Sequence, residues 1–423
     1  MPLGCRLVDA VLSARRDPSL ELTMSDPHSS DTTHSTGQDR PEARPPFVAA
    51  SERREPPGLP PLPPERRVGF AIVGLGRLSL DSILPALAAC KLCRLAAVMT
   101  GDRDKGRRVL SQYGAPGHAV YGYDEWDRLA SNDDVQVVYI VTPNGLHCEQ
   151  VKQAARIGKH VLCEKPMSNT SAEAREMIRA CADANVMLMV AYRLQYEPHN
   201  RELAKLVRSG EFGKLKIIEA HNGQVQDAAS QWRHDRRLAG GGSLPDIGLY
   251  CLNFARFITG EEPIEVSAWT WSTPGDPRFT EVEENVAWQM RFPSGVVGRF
   301  SSAYDAHESR NARLYFQKAV VRLEPAFAYK GLRLYVAQRS ATREDVEVTE
   351  ERVSGEQNQF GAEMDHMAEC VLTGRAPATP GEEGLQDQSI MEAIYRSAAL
   401  NHPVVLERVE GHDAFRDARL GAK

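Results

Sequence analysis

The chain has 423 residues and a net charge of -6, so it lacks the basic surplus that would point to nucleic acid or an anionic membrane as partner. Apolar residues make up 42 %, the level of a folded globular protein, and the length accommodates two domains with cores of their own. No run of about eighteen apolar residues occurs, which excludes a membrane-spanning helix.

Residues 1–66 read as a largely irregular arm. Arg15-Arg16 has the look of a twin-arginine export signal, but Asp17-Pro18 and Glu21 follow where an apolar stretch is required. The cytoplasm is therefore the expected compartment, or the periplasm should the true start differ. Across 41–64 proline is so frequent that neither sheet nor helix can form, and extended polyproline conformation is expected. Eight cysteines show no disulfide-framework spacing. Cys90-x-x-Cys93 has no partner pair at zinc spacing, so no metal is expected, and Cys163 reads as the buried end of a strand.

From residue 67 strand and helix signals alternate. Near-continuous apolar runs predict strands at 68–73, 92–99, 135–141, 160–163 and 186–191, with helical patterns at 80–89, 105–113, 145–157 and 171–184 between them. Strands of that kind belong in a parallel sheet covered on both faces. After residue 191 the pattern changes. A helix at 198–208 and a strand at 215–224 lead into successive strands at 266–271, 285–292, 296–302, 312–316, 320–323, 332–336 and 345–349. Val286, Trp288, Met290 and Phe292 alternate with Ala287, Gln289 and Arg291, and Pro293-Ser294-Gly295 signals a hairpin. Helices at 363–371 and 385–400 precede a charged tail, 407–423. The expected architecture is α/β: a Rossmann dinucleotide-binding domain over 67–191, then an α+β domain over 192–406 with a large, mostly antiparallel open sheet. If helices cover one face of that sheet, subunits are expected to pair through the other, giving a homodimer or homotetramer.

Gly74-x-Gly76-x-x-Ser79 sits between the first strand and the first helix. Gly74 allows the tight turn, Gly76 lets the backbone approach a pyrophosphate, Arg77 and Leu78 complete the loop, and the small Ser79 lets helix and strand pack. At the tip of the second strand stands Thr100 rather than an acid, with Arg103, Lys105 and Arg107 close by. That set favours a 2′-phosphate, hence NADP, although Asp102 could instead hold a ribose or cap the next helix. Glu164-Lys165-Pro166 follows a buried strand at the end where such sheets bind ligands. Asp246 and Tyr250 are one turn apart on a common face if their segment is helical. A phenol alone is a weak base, and a close ammonium such as that of Lys165 favours its phenolate. Trp232 and Arg233, in a basic patch, could meet cofactor phosphates or stack on a ring.

Together these segments resemble the Gfo/Idh/MocA family of NAD(P)-dependent sugar oxidoreductases, over about 66–406, and within it the glucose–fructose oxidoreductase branch. The likeness is carried by Ala71 to Gly76, Thr142-Pro143-Asn144 with His147, Cys163 to Met167, Tyr192-Arg193-x-x-Tyr196, Gln231-Trp232-Arg233, the stretch 238–253 and Pro380 to Gly384. Tyr250 stands where most of the family has His, as in that branch. The resemblance implies NADP retained through catalysis, under a proline-rich arm like 40–64. It implies oxidation of an aldose such as glucose at C1 to the lactone, then return of the hydride to a second sugar such as fructose. Lys165, Asp246 and Tyr250 would be catalytic, with Thr142, Asn144, His147, Glu164, Arg193, Trp232 and Arg233 around the cofactor. Tyr196, with Arg193, would reach the sugar. The alternatives are an aldose 1-dehydrogenase that releases NADP each turnover and a dinucleotide-binding sensor without chemistry.

Overall fold

An unbroken apolar run becomes the innermost strand of the first sheet: β1 (Val68–Val73) is buried at every position. The computed structural model describes residues 59–226, 231–343, 346–355 and 357–407, so the arm up to residue 58 and the tail from 408 lie outside the described residues. After β1 a π-helical turn (Ser79–Ile83) runs into α1 (Leu84–Ala89). There follow β2 (Cys93–Met99), α2 (Arg103–Gln112), β3 (Val120–Tyr121), α3 (Trp126–Ala130), β4 (Val137–Ile140), α4 (His147–Arg156), β5 (His160–Cys163), α5 (Ser171–Asp183) and β6 (Leu188–Val190). The six strands are parallel, in the order β3-β2-β1-β4-β5-β6. The winding reverses between β1 and β4, which opens a crevice beyond their C-terminal ends. Helix starts are set by side chains: Asp102 caps α2, and Thr170 with Glu173 forms a reciprocal capping box on α5.

The second half contains α6 (Pro198–Ser209), β7 (Leu215–Gln224), α7 (Arg236–Ala239) and α8 (Leu249–Thr259). Then come β8 (Glu265–Trp271), β9 (Asn285–Arg291), β10 (Val297–Tyr304), β11 (Ser309–Phe316), β12 (Ala319–Leu323), β13 (Leu334–Arg339) and β14 (Glu347–Arg352), followed by α9 (Gln359–Thr373), α10 (Gly381–Leu400) and β15 (Val404–Val405). Among the described residues these strands form one sheet of nine, in the order β14-β13-β12-β11-β7-β10-β9-β8-β15. Every pairing is antiparallel except that of β7 with β10. The expected hairpin at Pro293-Ser294-Gly295 joins β9 to β10.

One face of this sheet is covered by helices, α8 lying on β7 and β10, and α10 on β8. On the other face Trp269 and Trp271 of β8 are 53 % and 52 % exposed. The last two helices also reach back across the molecule. α9 packs on α1, β1 and β2, and α10 packs on α5. The return of α9 brings Asp365 to the Cys90-x-x-Cys93 loop, with the two Sγ atoms and a carboxylate oxygen within 4.8 Å of one another. Sequence spacing could not show this third group. Asp365 accepts the N–H groups of Lys91 and Leu92 at 3.0 and 2.8 Å and the Cys93 thiol at 3.4 Å. Burial pushes that thiol well up, and the cluster acts as an anchor between α9 and the loop before β2.

Candidate active site

The turn between β1 and α1 is built to leave backbone uncovered. Gly74 has a φ of +97°, and a Cβ there would lie 2.9 Å from the Val141 carbonyl oxygen. Ser79 closes the turn by donating its hydroxyl to Gly74 O at 2.6 Å. A Cβ on Gly76 would meet nothing within 4 Å, so this backbone faces open space. Lys105 crosses from α2 to donate its ammonium to Leu75 O. A positive side chain over an open glycine turn fits a dinucleotide pyrophosphate or phosphate. Thr100 is buried and accepts the Asp102 N–H. Asp102 caps α2, and the Lys105 N–H it accepts, followed by nearby cations, holds its carboxyl below the usual range. Of the neighbouring arginines, Arg103 pairs with Glu125 and Arg107 with Asp104, while Lys105 reaches back to the turn.

A second group of side chains meets at the C-terminal end of β5. Lys165 follows that strand and donates Nζ to the Asp246 carbonyl at 2.7 Å, with the nearer Asp246 carboxylate oxygen at 4.0 Å. Its Nζ lies 4.4 Å from the centre of the Tyr250 ring. The ammonium thus reaches the phenol across its face, and its hydrogen bond goes to the Asp246 backbone. Asp246 lies in a π-helical turn (Leu244–Gly248) that continues into α8, which carries Tyr250 in its first turn. Arg233 Nε and the Tyr304 hydroxyl both donate to Asp246 Oδ2, at 3.0 and 2.9 Å. Burial would raise the Asp246 carboxyl. Arg233, Lys165 and Tyr304 outweigh it and hold the group below the usual carboxylate range.

The glycine run before Asp246 has a packing reason. Gly242 passes Glu283 so closely that a Cβ would lie 1.8 Å from its carbonyl oxygen. The Glu283 carboxylate accepts the N–H groups of Gly242 and Leu244, both at 2.9 Å, and so aims the turn that bears Asp246.

Several expected ligand residues serve other ends. Arg193 is buried at 3 % exposure, donating to Phe327 O, Ala328 O and Gln359, with its guanidinium 4.7 Å from the Tyr250 ring centre and 4.6 Å from that of Tyr329. It backs the Tyr250 ring from inside the protein. Tyr196 is also turned inward, its hydroxyl on Thr379 at 3.0 Å. His147 is buried, its ring nitrogens facing Thr142 O and Pro166 O at 2.9 and 3.0 Å; it ties the loop after β4 to the loop after β5. Asn144 donates to Ala239 O, and the Thr142 hydroxyl to Gln150. Arg233 pairs with Asp246, its guanidinium resting 4.4 Å over the Trp232 ring. Arg77 is solvent-exposed and pairs with Asp81, and Leu78 leans on the core as the cap of the π-helical turn. Glu164 is buried, not a surface ion pair, and Tyr139 donates to it at 2.8 Å.

Sequence reasoning missed Tyr304, Tyr329 and Glu363. Tyr304 positions Asp246. Tyr329 is 51 % exposed, its ring centre 4.6 Å from the Arg193 guanidinium. None of the three lies in a motif: Tyr304 ends β10, Tyr329 lies in the connection from β12 to β13, and Glu363 is on α9.

The chain has relatives among known proteins. Residues 68–192 match the model described as an oxidoreductase family with an NAD-binding Rossmann fold, and 200–322 match the GFO/IDH/MocA C-terminal domain. The chain is 32 % identical over 347 residues to D-xylose 1-dehydrogenase [NADP(+)] of Haloarcula marismortui, covering 80 % of this chain and 93 % of that protein. It is 29 % identical over 342 residues to D-xylose 1-dehydrogenase (NADP(+)) 2 of Haloferax volcanii, covering 80 % and 99 %. Among solved structures, aldose-aldose oxidoreductase of Caulobacter crescentus complexed with glycerol superposes with a TM-score of 0.77 at 42 % identity, covering 81 % of this chain and 100 % of that one. Two domain models in the expected order, on a parallel dinucleotide sheet followed by a nine-stranded one, show that the chain belongs to the GFO/IDH/MocA oxidoreductase family.

Proposed function

We propose that this oxidoreductase uses NADP to oxidise an aldose at C1 to the lactone and to reduce a second sugar, with the cofactor held throughout. The observation that carries the reading is the convergence of Lys165, Asp246, Arg233 and Tyr250 at the ligand end of the dinucleotide sheet. Gly74, Gly76 and Lys105 would hold the cofactor, Lys105 answering the phosphate charge. NADP, when bound, supplies the acceptor and donor of hydride. Tyr250 takes the proton of the C1 hydroxyl as the sugar is oxidised, and gives a proton to the carbonyl oxygen of the second sugar as that one is reduced. Lys165 and Arg193 set their cations 4.4 and 4.7 Å from its ring centre and hold the ring in place. Asp246, held ionised by Arg233 and Lys165, accepts a sugar hydroxyl and orients it. Tyr329 offers an apolar ring face against which a sugar can lie.

The xylose dehydrogenase relatives favour a second reading, in which NADP leaves after each turnover. The two differ in one experiment. Purified protein is mixed with glucose, with no cofactor added, and the reduced-nicotinamide absorbance is followed. A stoichiometric rise that fructose or a second aldose reverses supports the retained cofactor; no rise until NADP is supplied supports the dehydrogenase. We also propose that copies of the chain pair through the uncovered face of the second sheet, around Trp269 and Trp271. No helix among the described residues is long and apolar enough to cross a membrane. Seven buried free thiols among the described residues support a reducing compartment such as the cytoplasm.

A further inference from the structure

Behind Lys165 lies a buried chain of three oxygen-bearing side chains that the proposed reaction does not use. The Tyr139 hydroxyl is within hydrogen-bond reach of Glu164 Oε1 at 2.8 Å and of Glu363 Oε1 at 3.2 Å. Tyr139 and Glu363 are 0 % exposed and Glu164 7 %. A phenol has one proton and can donate it to one carboxylate. The shorter contact, to Glu164, takes that proton. The contact to Glu363 then sets lone pair against lone pair unless Glu363 is itself an acid and donates to the phenol oxygen. The other Glu363 oxygen, Oε2, is buried and finds no hydrogen-bond partner among the described residues. Left as an ion, it would be a bare charge in the interior facing a second carboxylate; left as the carbonyl oxygen of an acid, it is tolerable.

The groups that face Glu363 are Glu164 beyond β5, Tyr139 of β4, and Arg193 and Tyr196 of the turn before α6. Only Arg193 is positive; its two terminal nitrogens hold Gln359 and two carbonyls, and its buried Nε makes no hydrogen bond to Glu363. Burial raises the Glu164 carboxyl as well, but the Lys165 charge, the Tyr139 hydroxyl and the Lys165 main-chain N–H at 3.2 Å oppose that rise, and Glu363 has no such set. We infer that Glu363 carries a proton at neutral pH and, by donating it to Tyr139, fixes Glu164 as the carboxylate that positions Lys165. Burial first, and then the charge of Glu164, push the Glu363 carboxyl well up, in keeping with this. One helix face thereby backs both cations over Tyr250. Gln359 accepts from Arg193, and Glu363, one turn later on α9, secures Lys165 through Tyr139 and Glu164.

This positioning role rests on the proposed proton transfer at Tyr250; the protonation of Glu363 does not. The test uses the full-length protein loaded with NADP. An infrared difference spectrum between wild type and Glu363→Gln at pH 7 is expected to show the carbonyl stretch of a protonated carboxylic acid in the wild type alone. The glutamine amide can donate to Tyr139 as the acid does, so Glu363→Gln is expected to keep kcat/KM for the aldose within about threefold. Glu363→Leu, which leaves the Tyr139 oxygen without that donor, is expected to lower kcat/KM by at least about tenfold. Absence of the acid band overturns the inference, as does a glutamine variant as impaired as the leucine one, or a leucine variant as active as wild type. Should Glu363→Leu fail to fold, the infrared band and the glutamine variant still decide. A band present in a wild type that turns over no sugar would sink the proposed function and leave the protonation standing.

Discussion

Tyr250 is held by what surrounds it: Lys165 and Arg193 lie over its ring and Phe327 stacks beside it, 6.3 Å between centres. Removing the lysine charge while keeping its stem should therefore strike the chemistry and spare the fold. Lys165→Met is expected to lower kcat by about 10²-fold or more, with the melting temperature within a few degrees of wild type, measured by steady-state kinetics and calorimetry. Asp246 gives a pH signature. Its carboxyl is held below the usual range in the folded state, so its ion pairs stabilise the protein above the unfolded value of about 3.9 and are lost as pH falls through the lower folded value. Asp246→Asn should accordingly lower the melting temperature at pH 7 and lose that deficit as pH falls below about 3.9; a constant deficit across pH would contradict it. Lys165, Asp246 and Tyr250 were legible because reactive residue types stood in short segments beside strand or turn signals. Tyr304 and Glu363 were not, because their partners lie 58 and 224 positions away, and only the folded sheets bring them together.

Among the elements, long strands such as β1 and β7 could be read from periodicity to the residue, and α5 and α6 to within one, whereas α9 begins four residues before the expected 363. β3, two residues long, and α3, five, are too short to show a period, and only packing against β2 and the rest of the first sheet defines them. Helix ends moved where a cap outranked the apolar pattern: α2 begins at Arg103 because Asp102 accepts the Lys105 N–H. The capping box on α5 makes a direct prediction. Thr170→Ala should destabilise the protein by about 1 kcal/mol in urea unfolding. The glycine turn before Asp246 makes a stronger one. Gly242→Ala places a Cβ 1.8 Å from a backbone oxygen, whereas Gly117→Ala meets nothing within 4 Å. The first should cost well over about 1 kcal/mol and displace Asp246, and the second should stay within about 0.5 kcal/mol. Equal effects would show that the close approach at Gly242 does not matter.

At the scale of the molecule, the two halves share one site because the chain comes back. α9 supplies Glu363 to Tyr139 of the first sheet and Gln359 to Arg193, and α10 packs on α5. No local pattern announces such a return; the helices themselves were predicted, their destination was not. The uncovered face of the nine-stranded sheet is where subunits are proposed to meet. Replacing Trp269 and Trp271 together by Arg should reduce the sedimenting mass to that of one chain, and an unchanged mass would remove this face from the interface. The central claim, that the Tyr250 hydroxyl moves the sugar's proton, is tested most directly by a single turnover. NADP-loaded wild type and Tyr250→Phe are mixed with glucose, and the reduced-nicotinamide absorbance is followed. The account predicts a rise at least about 100-fold slower in the variant, with NADP bound as tightly as in wild type; equal rates would contradict it.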